Sequence, residues 1–147
     1  LAMGINRPIC FLAREGLFTA SRIFGIIISL NNAIPIKRDT GSMDIMRRVI
    51  SLLKEGKLVV IFPEGTRTSD GAIGQFKGGI GLLSRKSATP IIPVNINGAY
   101  RIWPRQSALP QRFAKVRVTY TKPVWATGDS APDDVSDRAR AQVVAVR

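Results

Sequence analysis

One carboxylate and one guanidinium stand three residues apart in Phe62-Pro63-Glu64-Gly65-Thr66-Arg67, directly after the apolar run Leu58 to Ile61. The chemistry open to such a loop is the holding of an anion. Arg67 offers a planar fork suited to phosphate, the Gly65 and Thr66 backbone N–H groups can serve a phosphate oxygen, and Glu64 can orient Arg67 or receive a substrate hydroxyl. A second cationic pair, Lys37-Arg38, ends the segment Ala33 to Ile36; Lys37 would act there as a point charge. If the two preceding strands run parallel as near neighbours, both groups of cations face one crevice, where open α/β sheets place ligands. Taken singly, Lys37-Arg38 is equally a solvated strand end, whereas the hexapeptide 62–67 is too specific for a mere surface turn with an exposed Glu–Arg pair.

Several chemistries are closed to these residues. The chain has no histidine, which removes a His general base, a Ser–His or Cys–His nucleophile pair and His-containing metal sites. We assign no catalytic residue, no metal and no cofactor. Lys77 is followed by Gly78-Gly79, whereas the phosphate-loop pattern requires Gly-Lys followed by Ser or Thr. Gly71 to Gly81 also follows a polar loop with the wrong spacing for a dinucleotide fingerprint. Cys10 is the single cysteine; it forms no internal disulfide, fits a reducing compartment or the cytoplasmic side of a membrane, and reads as a buried apolar residue.

The formal net charge is +12, from 22 Lys+Arg against 10 Asp+Glu, and no acidic residue lies between Asp70 and Asp129. Such a block favours an anionic partner: nucleic acid, a phosphate-bearing metabolite or an anionic membrane surface. Tyr100 and Trp103 among arginines could stack on bases, but no nucleic-acid module is present. The expectation is no nucleic acid, with this loop lying on lipid headgroups or on the core.

The elements that must position these groups read as one α/β domain over 1–147, a mixed, largely parallel sheet flanked by helices. With 147 residues, 45% of them hydrophobic, the chain can bury one sizeable core. Strands are expected over 8–13, 33–37, 58–61, 90–96 and around Val116, Val118 and Tyr120. Helices are expected over 17–31, from Ser42 as N-cap to Gly56 at C′, over about 80–86, and over 134–146. The first of these is too short to span a bilayer and reads as a core or interfacial helix. Tyr100 to Pro110 reads as a loop.

Phe62 to Thr68 resembles the third signature block of the 1-acylglycerol-3-phosphate O-acyltransferase family. Ala33 to Arg38 resembles the second block, Ile91-Ile92-Pro93-Val94 the fourth, and Phe76-Lys77-Gly78-Gly79 the segment after the third. The resemblance covers about 8–124. It implies a glycerolipid acyltransferase fold and transfer of a fatty acyl group from an acyl-CoA or acyl-carrier-protein thioester to the free hydroxyl of lysophosphatidate, giving phosphatidate. It implies that Lys37, Arg38 and Arg67 hold the substrate phosphate, while Glu64, Gly65 and Thr66 shape the glycerol site. The partners implied are a lysophospholipid acceptor, the acyl donor and an anionic membrane surface, with the protein membrane-associated at the cytoplasmic face. The family's His-x-x-x-x-Asp block is missing from this chain and is expected just before Leu1, so the chain alone should bind a headgroup and catalyse nothing. The alternative is a non-catalytic basic module that docks on anionic lipid or nucleic acid.

Overall fold

Apolar and β-branched runs separated by an amphipathic segment set the first half of the chain. The computed structural model describes residues 9–14, 33–36, 41–111, 113–128 and 130–147. The helix expected over 17–31, together with Lys37 and Arg38, lies outside the described residues. Contacts divide the chain into two compact units, Leu1–Ile61 and Phe62–Arg147.

In the first unit, β1 (Ile9–Arg14), β2 (Ala33–Ile36) and β3 (Leu58–Val60) form a sheet of order β2-β1-β3. Both pairings are parallel, with Phe11 opposite Ala33 and Ile9 opposite Leu58. Between β2 and β3 the chain crosses over through α1 (Ser42–Lys54), which packs on β3, the connection that parallel strands require. β1 thus separates the two strands that precede the cationic segments. Cys10 is buried, as are Val49 and Leu52 on the inner stripe of α1. β3 is only half-buried along its length.

The helix ends follow the residues at them, with one correction. Gly41, not Ser42, is the N-cap of α1, and no side chain caps that end. The Asp44 and Ile45 N–H groups instead donate to the Gly41 carbonyl. Asp44 in the first turn pairs with Arg47 at 3.0 Å, the sole ion pair among the described residues. At the other end Gly56 has φ +77; its N–H donates to Leu53 O and that of Lys57 to Leu52 O, the paired bonds of a Schellman stop.

The second unit contains α2 (Gly79–Ser87), β4 (Val94–Asn97), α3 (Ala99–Ile102), β5 (Arg117–Tyr120) and α4 (Pro132–Ala145). β4 and β5 pair antiparallel, Val94 opposite Tyr120 and Asn97 opposite Arg117. The strand expected over 90–96 is therefore shorter and shifted. Ile91 contributes one bridge to Val124, and the prolines at 90 and 93 break the ladder before Val94. β5 does not alternate cleanly, because Val116 and Tyr120 are both exposed. The stretch expected to be a loop from Tyr100 opens with the single helical turn of α3, entered through Gly98 at φ +95.

α2 packs on α4, and glycine makes that approach possible. A Cβ at Gly81 would meet the backbone carbonyl of Pro132, and one at Gly78 would meet the Asp133 carboxylate. Ile80, Leu83, Val135, Ala139 and Val143 form the core of this unit together with Val124. Asn95 is 5% exposed and donates through Nδ2 to Val143 O at 2.9 Å, tying β4 to α4. The mixed strand pairing with helices is the α/β class expected.

Candidate functional site

The charged loop of the second unit is built on a tight turn. The Gly65 N–H donates to Phe62 O at 3.1 Å, and Gly65 has φ +71, a conformation that a Cβ would strain. Gly65 also gives space: a Cβ there would lie 2.8 Å from Lys77 Nζ and 3.1 Å from its Cε. The Lys77 ammonium therefore rests over the glycine. The Lys77 N–H donates to Pro63 O at 3.1 Å, so backbone as well as side chain joins Phe76-Lys77-Gly78 to the turn.

Glu64 is half-buried, and its Oε2 accepts the Gly74 N–H at 2.7 Å. Of the two roles expected for Glu64, orienting Arg67 or receiving a substrate hydroxyl, the first has no ion pair behind it among the described residues. Its carboxylate holds the 71–76 segment, because a backbone donor ten residues on lies nearer than the guanidinium. The Gly65 N–H is likewise engaged within the turn, while that of Thr66 has no partner among the described residues. Arg67 turns toward the 103–107 segment: its Nη2 donates to Arg105 O at 3.4 Å, and Arg105 Nη1 donates back to Arg67 O at 3.4 Å.

Beyond Arg67 the chain folds on its own side chains. Thr68 Oγ1 accepts the Gly71 N–H at 2.9 Å, and Asp70 Oδ1 accepts the Ala72 N–H at 2.9 Å and the Thr68 hydroxyl. Those bonds, the Ala72 N–H first and the Thr68 hydroxyl second, hold the Asp70 carboxyl below the ordinary aspartate range. The Tyr100 hydroxyl donates to Ser69 O at 2.6 Å, and the Tyr100 ring fills the space that Gly71 leaves. This ring packs on the protein's own loop. Arg140 of α4 donates to the Gly74 and Ile73 carbonyls at 2.9 and 3.3 Å, and Arg147, past the end of that helix, to Gly71 O at 3.3 Å.

Together these bonds enclose an open cavity of about 540 Å³ whose walls include Glu64, Thr66, Arg67, Asp70, Lys77 and Arg105. Its size suits a small ligand or headgroup. Neither carboxylate is ion-paired to Arg67, Lys77 or Arg105 within 4.0 Å. Three cations against two carboxylates leave this lining net positive, which favours an anionic ligand. Of the residues singled out in the sequence, Glu64, Gly65, Thr66 and Arg67 are gathered in one turn, with Glu64 reaching the backbone rather than the cavity's cations. Lys77 and Arg105 are the two wall cations that sequence reasoning left out of the site. Lys77 carried a signal, its place beside the glycines of 78–79; Arg105 carried none beyond the basic block. Among the described residues no cluster of His, Cys, Asp and Glu could hold a metal ion.

Comparisons with known proteins agree with the resemblance. Residues 1–97 match the family model described as Acyltransferase. The chain is 32% identical over 143 residues to the chloroplastic 1-acyl-sn-glycerol-3-phosphate acyltransferase BAT2 of Brassica napus, covering 96% of this chain and 40% of that protein. It is 30% identical to the Arabidopsis thaliana protein LPAT1 of the same name, covering 96% of this chain and 39% of that one. It spans about 40% of the length of these curated relatives. Among solved structures it superposes on the 1-acyl-sn-glycerophosphate acyltransferase PlsC of Thermotoga maritima with a TM-score of 0.73 at 24% identity, covering 100% of this chain and 60% of that one. At that identity the likeness establishes the fold.

Proposed function

We propose, proceeding from the fact that this chain belongs to the Acyltransferase family, that it serves the acylation of lysophosphatidate to phosphatidate. A fatty acyl group leaves a coenzyme A or carrier-protein thioester, its C–S bond breaking, and forms an ester with the acceptor's free hydroxyl. The hydroxyl proton passes to a base and the thiol departs. The observation that carries this reading is the cavity beside the Glu64–Arg67 turn, whose cations Arg67, Lys77 and Arg105 meet no carboxylate within ion-pair distance among the described residues. The names of the plant relatives favour a phosphate-bearing acceptor.

In this reading Arg67 grips the phosphate as a fork and the Thr66 N–H gives one further donor; a phosphate-holding role for Lys37 and Arg38 is proposed on the resemblance of Ala33 to Arg38 alone. Gly65 keeps the turn open, and Glu64 fixes the glycerol side of the site by holding Gly74. These residues bind and orient. No histidine occurs in the chain, and the proton transfer is assigned to none of its residues. The net charge of +12 favours work at an anionic membrane surface, on the cytoplasmic face. Among the described residues no helix is long and apolar enough to cross a membrane.

Steady-state kinetics on the full-length protein test the reading. Loss of a charge-assisted hydrogen bond costs about 1.5–3 kcal/mol, so Arg67→Ala should raise the KM for lysophosphatidate roughly tenfold to a hundredfold. The KM for the acyl thioester should stay within about twofold. Equal weakening of both would deny Arg67 its phosphate role. Absence of lysophosphatidate-dependent thiol release from the unmutated protein would favour a non-catalytic lipid-binding module.

A further inference from the structure

We infer that Arg140 of α4 is a positioning residue for the acceptor site, acting on Glu64 through the peptide unit between Ile73 and Gly74. The inference rests on the acyltransferase reading above and deepens it with a residue beyond position 97, where the family match ends.

That one peptide unit is gripped from both sides. Its N–H, belonging to Gly74, donates to Glu64 Oε2 at 2.7 Å, and its carbonyl, belonging to Ile73, accepts from Arg140 Nη2 at 3.3 Å. Arg140 Nε also donates to Gly74 O at 2.9 Å, so two neighbouring acceptors fix the guanidinium plane. A cation on the carbonyl oxygen polarises the amide and strengthens its N–H as a donor. The Arg140 charge thus reaches the Glu64 carboxylate without touching it. Among the described residues neither group has an ion-pair partner within 4.0 Å that would compete for it.

Both ends of this relay are anchored. A Cβ at Gly74 would lie 2.9 Å from Glu64 Oε2 and 3.5 Å from its Cγ, so the carboxylate rests directly on the glycine. Arg140 is half-buried and follows Ala139, which is wholly buried on the inner face of α4. The peptide is therefore held against the core of the unit and not only by its own loop. Glu64 Oε1 has no partner among the described residues, and Glu64 stands in the cavity wall beside Thr66 and Arg67. An acceptor hydroxyl donating to Oε1 would lie next to the anion that Arg67 holds. Displacing a positioning group by about 1 Å costs up to roughly a hundredfold in rate.

A double-mutant cycle on the full-length protein tests the relay, reading kcat/KM for lysophosphatidate and KM for the acyl thioester. Arg140→Gln should lower kcat/KM for lysophosphatidate about tenfold, the factor of one charge-assisted hydrogen bond. The thioester KM should stay within about twofold. In a Glu64→Ala background the same change should cost less than about twofold, because the carboxylate that Arg140 positions is gone. Arg140→Lys should recover part of the loss by restoring charge without the fork. Gly74→Ala, which displaces Glu64 and leaves Arg140 in place, should reproduce the Arg140→Gln kinetics. The Gly74 amide proton should also move upfield in Arg140→Gln, as its hydrogen bond weakens. Additive losses across the cycle, or equal losses for lysophosphatidate and thioester, would overturn the relay while leaving the acyltransferase reading intact. Absence of lysophosphatidate-dependent thiol release from the unmutated protein would instead overturn that reading, and the role of Arg140 with it.

Discussion

Gly81→Ala sets helix propensity against packing and lets the two be told apart. Gly81 is buried inside α2, where replacing glycine by alanine ordinarily adds about 1 kcal/mol of stability. In this fold the new methyl would point at the first turn of α4. It would lie 2.7 and 2.8 Å from the carbonyl carbon and Cα of Pro132 and closer still to the Pro132 oxygen. All three are backbone atoms, so no rotamer change relieves the contact. Reaching ordinary separation requires α4 to retreat by more than half an ångström, and overpacking of this kind costs typically about 1–3 kcal/mol. The retreat also stretches the bond from Ser136 Oγ to Lys77 O, which ties α4 to the segment before α2. The expected net result is a loss of about 1–2 kcal/mol, after about 1 kcal/mol of propensity gain is subtracted from a contact cost at the upper end. For a unit of this size that lowers Tm by roughly 4 °C or more. Thermal unfolding followed by circular dichroism on the full-length protein gives the number. Gly56→Ala is the comparison: φ is +77 but nothing lies within 4 Å, so only backbone strain of about 1 kcal/mol is at stake. A Gly81→Ala variant as stable as the parent, or more so, would refute the reasoning.

Other expectations follow from single bonds. Glu64→Ala leaves the half-buried Gly74 N–H without its acceptor and should speed hydrogen exchange at that amide, whereas Glu64→Gln, which still offers an oxygen, should change it little. Asn95→Leu strands the Val143 carbonyl beneath β4 and should lower stability by about 1–3 kcal/mol, read from the urea midpoint at constant slope. The Asp70 carboxyl is held below its ordinary range, so its contribution is complete above that range and is lost as pH falls through the depressed value. Amide shifts at Ala72 should therefore move at more acidic pH than an ordinary aspartate titrates, and Asp70→Asn should abolish the transition.

Local chemistry was readable where it is self-contained. The Gly56 stop of α1 and the Gly65 turn are dictated within a few residues, and the α/β alternation follows from runs such as Leu58–Ile61 and the stripe of Val49 and Leu52, whereas α4 begins at Pro132, two residues before the start expected at 134. Contacts across sequence were not readable. Nothing in the spacing tells that Glu64 prefers the Gly74 amide to Arg67, or that Arg105, 38 residues further on, returns to clasp Arg67. The expectation of a freely offered Gly65 N–H failed for a local reason, since the turn consumes that donor itself. Ser42 as N-cap failed because Gly41 already holds the capping position and its carbonyl takes the first bonds.

The bracing of the 69–76 segment bears on how sequence variants in this protein are weighed. The family match ends at residue 97, yet Tyr100, Gln106, Arg140 and Arg147 all donate to backbone carbonyls between Ser69 and Gly74. A frameshift or truncation after residue 97 would spare every recognisable block while removing the props of the loop that Glu64 spans. A missense change at Arg140, far outside the blocks, belongs with changes in the FPEGTR segment when its severity is judged.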